Sequence, residues 1–378
     1  MMLKRFLTQC QTAAKISVLI STFRPAKRQG GAPYKNQKLF QKASGLALIL
    51  VVFIVALASI LVVNLAYSSY IAGVINLSAE RSVQAEYLLK SAVSLAQVLI
   101  KNDQTPDIDS FKDDWAFFIN GSQIPGALLS INQPNVMISL ELRPEDTKFP
   151  IAPLAQTTAA GGQTLVLWRD AFANLFETLG FDSDGEQIVS GPLQGKFYNS
   201  KQMVANLIDY MDPDDKPYNP GNFPAGYEGI TPGVRSLNKP ITTVSQLSNV
   251  PGFTAARIQM LLPFITTTAN LSKLNINLAP PLLIKNLHQK IEDQEVTNIV
   301  SFRDSENGPL QAGQIKNFVS DSDAQQACDL VTSVRSNVFQ VTAKVNYLTS
   351  VFFLKATLRR AGTTAASGMP EVVALELY

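Results

Sequence analysis

The chain has 378 residues with 32 Lys or Arg and 30 Asp or Glu, for a formal net charge of +2. The sum hides an asymmetry, because residues 1–45 hold nine cations and no acid, leaving 23 basic and 30 acidic residues beyond them. An acidic body argues against a sequence-independent nucleic-acid binder, whose affinity comes from cations on phosphates, and a lone histidine, His288, argues against histidine-based acid–base catalysis and multi-histidine metal sites.

After the basic leader, Gly45 to Val63 is a run of 19 residues without a charge. As a helix it reaches about 28 Å, enough to cross a hydrocarbon core. A cleaved secretory signal has a shorter apolar core of roughly 7–15 residues and a small-residue cleavage site after it. The cations lie before the run, so the leader stays in the cytoplasm and the body lies outside it. The two cysteines, Cys10 and Cys328, fall on opposite sides of this segment, so if it spans a bilayer they cannot pair within one chain. Residues 74–101 contain no Gly or Pro and carry apolar residues at broadly helical spacing, among them Leu88, Leu89, Val93, Ala96 and Leu99. One helix is therefore predicted from Leu46 to about Ile100, with residues 46–66 in the membrane. A plain single-pass anchor with a stalk helix fits the same residues.

Residues 127–142 ("ALLSINQPNVMISLEL") read as strands, as do 336–360 ("SNVFQVTAKVNYLTSVFFLKATLRR") and 370–378 ("PEVVALELY"), all rich in Val, Thr, Phe and Tyr. Between them, residues 165–330 read as helical. Pro251-Gly252 predicts a tight turn. Thr254 is the expected N-cap of the helix AARIQMLLPF, with Ile258, Leu261 and Leu262 facing inward. Pro280-Pro281 is placed to open the next helix, which presents Leu282, Leu283 and Leu287.

Asp209, Asp212, Asp214 and Asp215, with Glu228 beyond a Pro/Gly loop, form the densest carboxylate set in the chain. Calcium takes roughly six to eight oxygens and tolerates a flexible loop as scaffold, and a dication removes the repulsion among such acids. A solvated acidic loop in which Asp209 ends a helix is the alternative. "DSDGE" at 182–186 has its glycine in the fourth place rather than the sixth of a calcium loop, and reads as a turn. No nucleophile stands with a base, so no enzyme is expected.

These residues carry a resemblance. A basic leader ending in Gly45, an apolar helix from Leu46 and an amphipathic continuation resemble a type IV prepilin or pseudopilin. Three further passages resemble the minor pseudopilin K family of type II secretion. They are "VANLIDYMDPDDKPYNPGNFPAGYEG" (204–229, Tyr210 where the family usually has Trp), "PITTVSQLSNVPGFTAARIQMLLPFITT" (240–267) and "LNINLAPPLLIKNL" (274–287, with Leu278 replacing Thr). Leu50 stands at the fifth mature position, where most pilin-like proteins have Glu; the K branch habitually lacks that acid. Residues 148–154 ("KFPIAPL") replace an Asn-Leu-Asn element of the family.

The resemblance implies an α+β fold: a long N-terminal transmembrane helix packed on a small antiparallel sheet, with a large helical insertion. It divides the chain into a cleaved leader (1–45), the helix (46–100), a pilin-like sheet domain (101–164 and 331–378) and the insertion (165–330). It implies cleavage between Gly45 and Leu46 by a prepilin peptidase, methylation, and calcium at the acidic cluster. It also implies an inner-membrane chain with a periplasmic body, partnered by minor pseudopilins of the I and J types and by the major pseudopilin. The expected role is to initiate or cap a pseudopilus that exports folded proteins, without nucleic acid. A minor pilin of a type IV pilus is an alternative. So is a membrane-anchored helix-hairpin-helix DNA receptor, since the Pro-Gly hairpin resembles that module.

Overall fold

The computed structural model describes residues 40–125, 136–156, 158–229, 233–347, 350–360 and 368–378. The leader up to residue 39, with Cys10, lies outside them. The chain divides into two compact units after Asn76.

Helix α1 (Phe40–Lys101) runs through both units. It begins ahead of Gly45, so the last residues of the expected leader already belong to it. From Gly45 onward it is long and apolar enough to cross a membrane, and its apolar side chains are exposed from Leu46 to Leu77, as lipid-facing residues are. In the second unit its burial becomes one-sided. Ala85, Leu89, Ala92, Val93, Ala96 and Ile100 are buried, a spacing of three and four residues that forms one stripe.

That stripe packs on a five-stranded antiparallel sheet with strand order β1-β2-β7-β8-β9. The strands are β1 (Ser122–Pro125), β2 (Met137–Pro144), β7 (Val338–Tyr347), β8 (Ser350–Arg359) and β9 (Glu371–Leu377). Alternation decides the faces. Ile138, Leu140 and Leu142 of β2, Val341, Ala343 and Val345 of β7, and Leu354, Ala356 and Leu358 of β8 turn inward in one core with α1. Trp115 closes the core, its ring edge-on to Phe339 with centroids 5.3 Å apart. Of the expected strand region 127–142, residues 137–142 fall in β2, which runs on to Pro144, and residues 127–135 lie outside the described residues.

Between β2 and β7 the chain builds a second core. Short strands β3 (Phe149–Pro150) and β4 (Ile265–Thr266) pair in parallel, as do β5 (Leu274–Asn275) and β6 (Thr332–Ser333). Helices α2 (Thr158–Thr178), α3 (Ser200–Met211), α4 (Ala255–Leu261), α5 (Pro281–Asn286), α6 (Asp293–Asp304) and α7 (Ser322–Val331) surround the core. Edge-to-face aromatics, Phe149 on Trp168 and Phe172 and Phe176 on Phe253, fill its centre. Phe149, Ile151 and Leu154 already belong to this core, so the "KFPIAPL" stretch leads into the insertion. The architecture is α+β, as expected.

Thr254 caps α4, accepting from the Arg257 N–H. On that helix Leu261 is buried and Ile258 half-buried, but Leu262 is 38 % exposed and Arg257 only 1 % exposed. The reason lies outside the helix. Arg257 donates Nη1 to the carbonyls of Tyr198 and Gly252 and Nη2 to that of Phe181, and its guanidinium forms two bonds of 2.6 and 2.7 Å to Asp184. The "DSDGE" turn thus supplies Asp184, a solvent-accessible carboxylate that anchors the buried Arg257.

Candidate functional site

Helix α3 begins with a capping box between Asn199 and Gln202 and buries Met203, Val204, Leu207 and Ile208. Its last turn carries Asp209 into the interior, with no exposure at all. The Asp209 carboxylate accepts from the Tyr218 N–H at 2.6 Å through Oδ1 and from the Glu228 N–H at 2.8 Å through Oδ2. Asp209 therefore fastens both ends of the intervening loop. Burial raises its pKa, and the N–H groups of Glu228 and Tyr218 oppose that rise. The loop closes on itself where Gly226 N–H donates to Tyr218 O at 3.0 Å. Only glycine fits there, because a Cβ at 226 would lie 2.0–2.4 Å from the Asp209 carboxylate.

At the mouth of this loop Asp212, Asp214 and Glu228 each bring one oxygen to within 4.8 Å of the others. Asp212 and Glu228 are buried, and Asp212 Oδ1 and Glu228 Oε2 have no hydrogen-bond partner. Burial, then the charges of Glu228, Asp209 and Asp214, push the Asp212 carboxyl up to about 8, and burial also raises Glu228. Two enclosed acceptor oxygens without donors are costly. Hard oxygen ligands converging on one point suit a calcium ion.

The five expected ligands thus divide. Asp212, Asp214 and Glu228 come together, and Asp209 positions the loop behind them. Asp215 turns away and accepts from Asn238 Nδ2 at 3.0 Å. Gly226 was not anticipated; the glycine-rich stretch "NPGNFPAGYEG" carried the only hint. A second acidic group, Asp103, Asp109 and Asp113, already holds a cation, since Arg360 donates to Asp103 at 3.0 Å and to both oxygens of Asp109 at 2.9 Å.

Gly45 and Leu46 lie within α1, with Leu46 72 % exposed and open space around Gly45. His288 is half-buried, and its Nδ1 accepts from the Lys290 N–H. Cys328 is buried and free.

Comparison with known proteins follows this geometry. Residues 147–270 match the family described as Type II secretion system (T2SS), protein K. The type II secretion system protein K of Klebsiella pneumoniae is 25 % identical over 245 residues, covering 63 % of this chain and 67 % of that protein. The crystal structure of the GspK–GspI–GspJ complex of the enterotoxigenic Escherichia coli type 2 secretion system contains a chain of the same fold. The two superpose with a TM-score of 0.57 at 17 % identity, over 80 % of this chain and 98 % of that one.

Proposed function

We infer, from a chain that resembles protein K of type II secretion and has its α+β fold, that it is a minor pseudopilin with a structural rather than catalytic role. The observation that carries the reading is the protein K match, residues 147–270, lying in a helical insertion behind a helix apolar enough to cross a membrane. The prepilin peptidase cuts between Gly45 and Leu46, and the new terminus is methylated. The helix stays in the inner membrane, with the body in the periplasm. The chain assembles with minor pseudopilins of the I and J types, a reading supported by the GspK–GspI–GspJ complex in which its structural relative is found. An insertion this bulky does not repeat along a fibre. It suits the tip, where the chain initiates or caps the pseudopilus built from the major pseudopilin, and the pseudopilus drives folded proteins across the outer membrane.

Calcium belongs to this reading as well. Asp212, Asp214 and Glu228 would hold the ion, and the enclosed Asp212 and Glu228 oxygens fit that role. Bound there, the ion neutralises the acids and fixes the loop that Asp209 positions. Comparing thermal unfolding of the full chain in detergent with calcium and with chelator tests it, because a ligand of the native state must raise stability. Identical melting removes the ion from the reading.

The decisive experiment for the role is N-terminal sequencing of the chain extracted from membranes of a host with an active prepilin peptidase, with co-purification of I- and J-type partners. A first residue of Leu46 and a recovered complex are expected. A chain that keeps Met1 and comes alone overturns the proposal.

A further inference from the structure

The chain leaves the sheet after Pro144 and re-enters it at Val338, and the two points meet in a buried polar seam. Asp146, on the turn after β2, accepts from the Asn337 N–H at 2.8 Å through Oδ2. Asp109, on the segment after α1, accepts from the neighbouring Ser336 N–H at 2.6 Å. Arg360, just past β8, grips Asp109 and Asp103, and its own N–H donates to Asn337 O at 2.8 Å. From the insertion, Asn275 Nδ2 donates to Ser336 Oγ at 2.8 Å. Asp109, Asp146, Ser336 and Arg360 are all buried.

Three carboxylates, Asp103, Asp109 and Asp146, lie along this seam, and the guanidinium of Arg360 is spent on the first two. Asp146 Oδ1 is enclosed without a partner. The charge of Asp109 opposes ionisation of Asp146, and the Ser336 hydroxyl and Asn337 N–H favour it. On the adjoining turn Glu145 and Lys148 face one another at 3.5 Å, and Arg335 precedes Ser336 on the returning segment. Burial holds Asp146 up to about 7 and Asp109, restrained by Arg360, to about 6.

We propose that Asp146, on the outgoing chain, and Asp109, on the segment after α1, form a proton-operated clasp on the returning chain at Ser336 and Asn337, one that tightens in acid and loosens in alkali. The sign follows from the chemistry. An enclosed carboxyl with a raised pKa binds a proton that the opened, solvated form gives up. The closed seam is therefore favoured in acid and weakens as pH rises through the closed-state value. With Asp146 moving between about 7 closed and an ordinary 3.8 open, linkage at Asp146 alone makes opening on the order of thirtyfold more frequent at pH 8 than at pH 5.5, and Asp109, held to about 6, adds a smaller factor in the same direction.

The test is hydrogen exchange by mass spectrometry on the full chain in detergent micelles, following the Ser336 and Asn337 amides with intrinsic rates divided out. Protection on the order of thirtyfold lower at pH 8 than at pH 5.5 is expected, with most of that dependence removed in Asp146→Asn. Protection in the unmutated chain that does not change with pH overturns the clasp, whether or not the variant folds. So does an Asp146→Asn protein with the original slope.

Discussion

Gly226→Ala tests whether Asp209 holds the acidic loop as described. The added methyl falls 2.0 Å from Asp209 Oδ2 and 2.4 Å from Oδ1, distances that real carbon–oxygen contacts do not reach. Asp209 is fully buried at the end of α3 and has little room to retreat, so the loop must. Moving it breaks the two bonds from Tyr218 and Glu228 to the carboxylate. Hydrogen bonds to a charged group contribute roughly 1.5–3 kcal/mol each. The pair is therefore worth roughly 3–6 kcal/mol, and partial relaxation of an exposed loop leaves a loss of about 3 kcal/mol. The assay is chemical unfolding of the full chain in detergent, read through Trp fluorescence, with Trp168 reporting from the insertion core. Because Glu228 moves with the loop, the variant also loses its response to calcium. A variant within about 0.5 kcal/mol of the parent, the range of ordinary surface changes, refutes the reasoning.

Arg257→Ala leaves the carbonyls of Tyr198, Gly252 and Phe181, and the exposed Asp184, without their donor, and a loss of about 2–4 kcal/mol is expected in the same unfolding assay. Arg257→Lys does not restore it, because an ammonium lacks the fork; a loss below about 1 kcal/mol would contradict the account. Burial and the neighbouring acids hold the Asp212 carboxyl up to about 8, so calcium bound there as proposed has to displace its proton. Affinity measured by calorimetry therefore rises about tenfold from pH 6.5 to 7.5, with proton release; equal affinities argue against Asp212 as a ligand. Burial pushes the Cys328 thiol up to about 12, so in a Cys10→Ser background maleimide labels it only on unfolding, and rapid labelling of the native chain would show the helix α7 contacts to be wrong.

What the sequence revealed follows from how local each signal is. The uncharged run and its amphipathic continuation specify α1 because each turn of a helix reports its own environment. Strands β7 and β8 are legible through the alternation of Val, Ala and Leu with polar residues. The acids of the candidate site were visible as a cluster. Their division of labour was not, because Asp209 is claimed by the N–H groups of Tyr218 and Glu228, nine and nineteen residues away. Gly226 escaped notice for the same reason: its constraint is a side chain approaching from another element. On α4, apolar spacing put Leu262 inside. Carbonyls at Phe181 and Tyr198 and the carboxylate of Asp184, all distant in sequence, brought Arg257 in instead.

The pairing of β2 with β7 joins Met137 to Asn346 and Pro144 to Phe339, neighbours in space separated by some two hundred residues of chain. Closing so long a loop carries a large entropic penalty before any contact rewards it. Strand β2 therefore emerges early during synthesis and waits, its edge unsatisfied, while everything between matures. Compaction of the intervening segment shortens the effective gap, which favours folding of the inserted body ahead of closure of the sheet. Until β7 arrives, Ile138, Leu140 and Leu142 lack the Val341, Ala343 and Val345 side chains that share their core in the finished sheet.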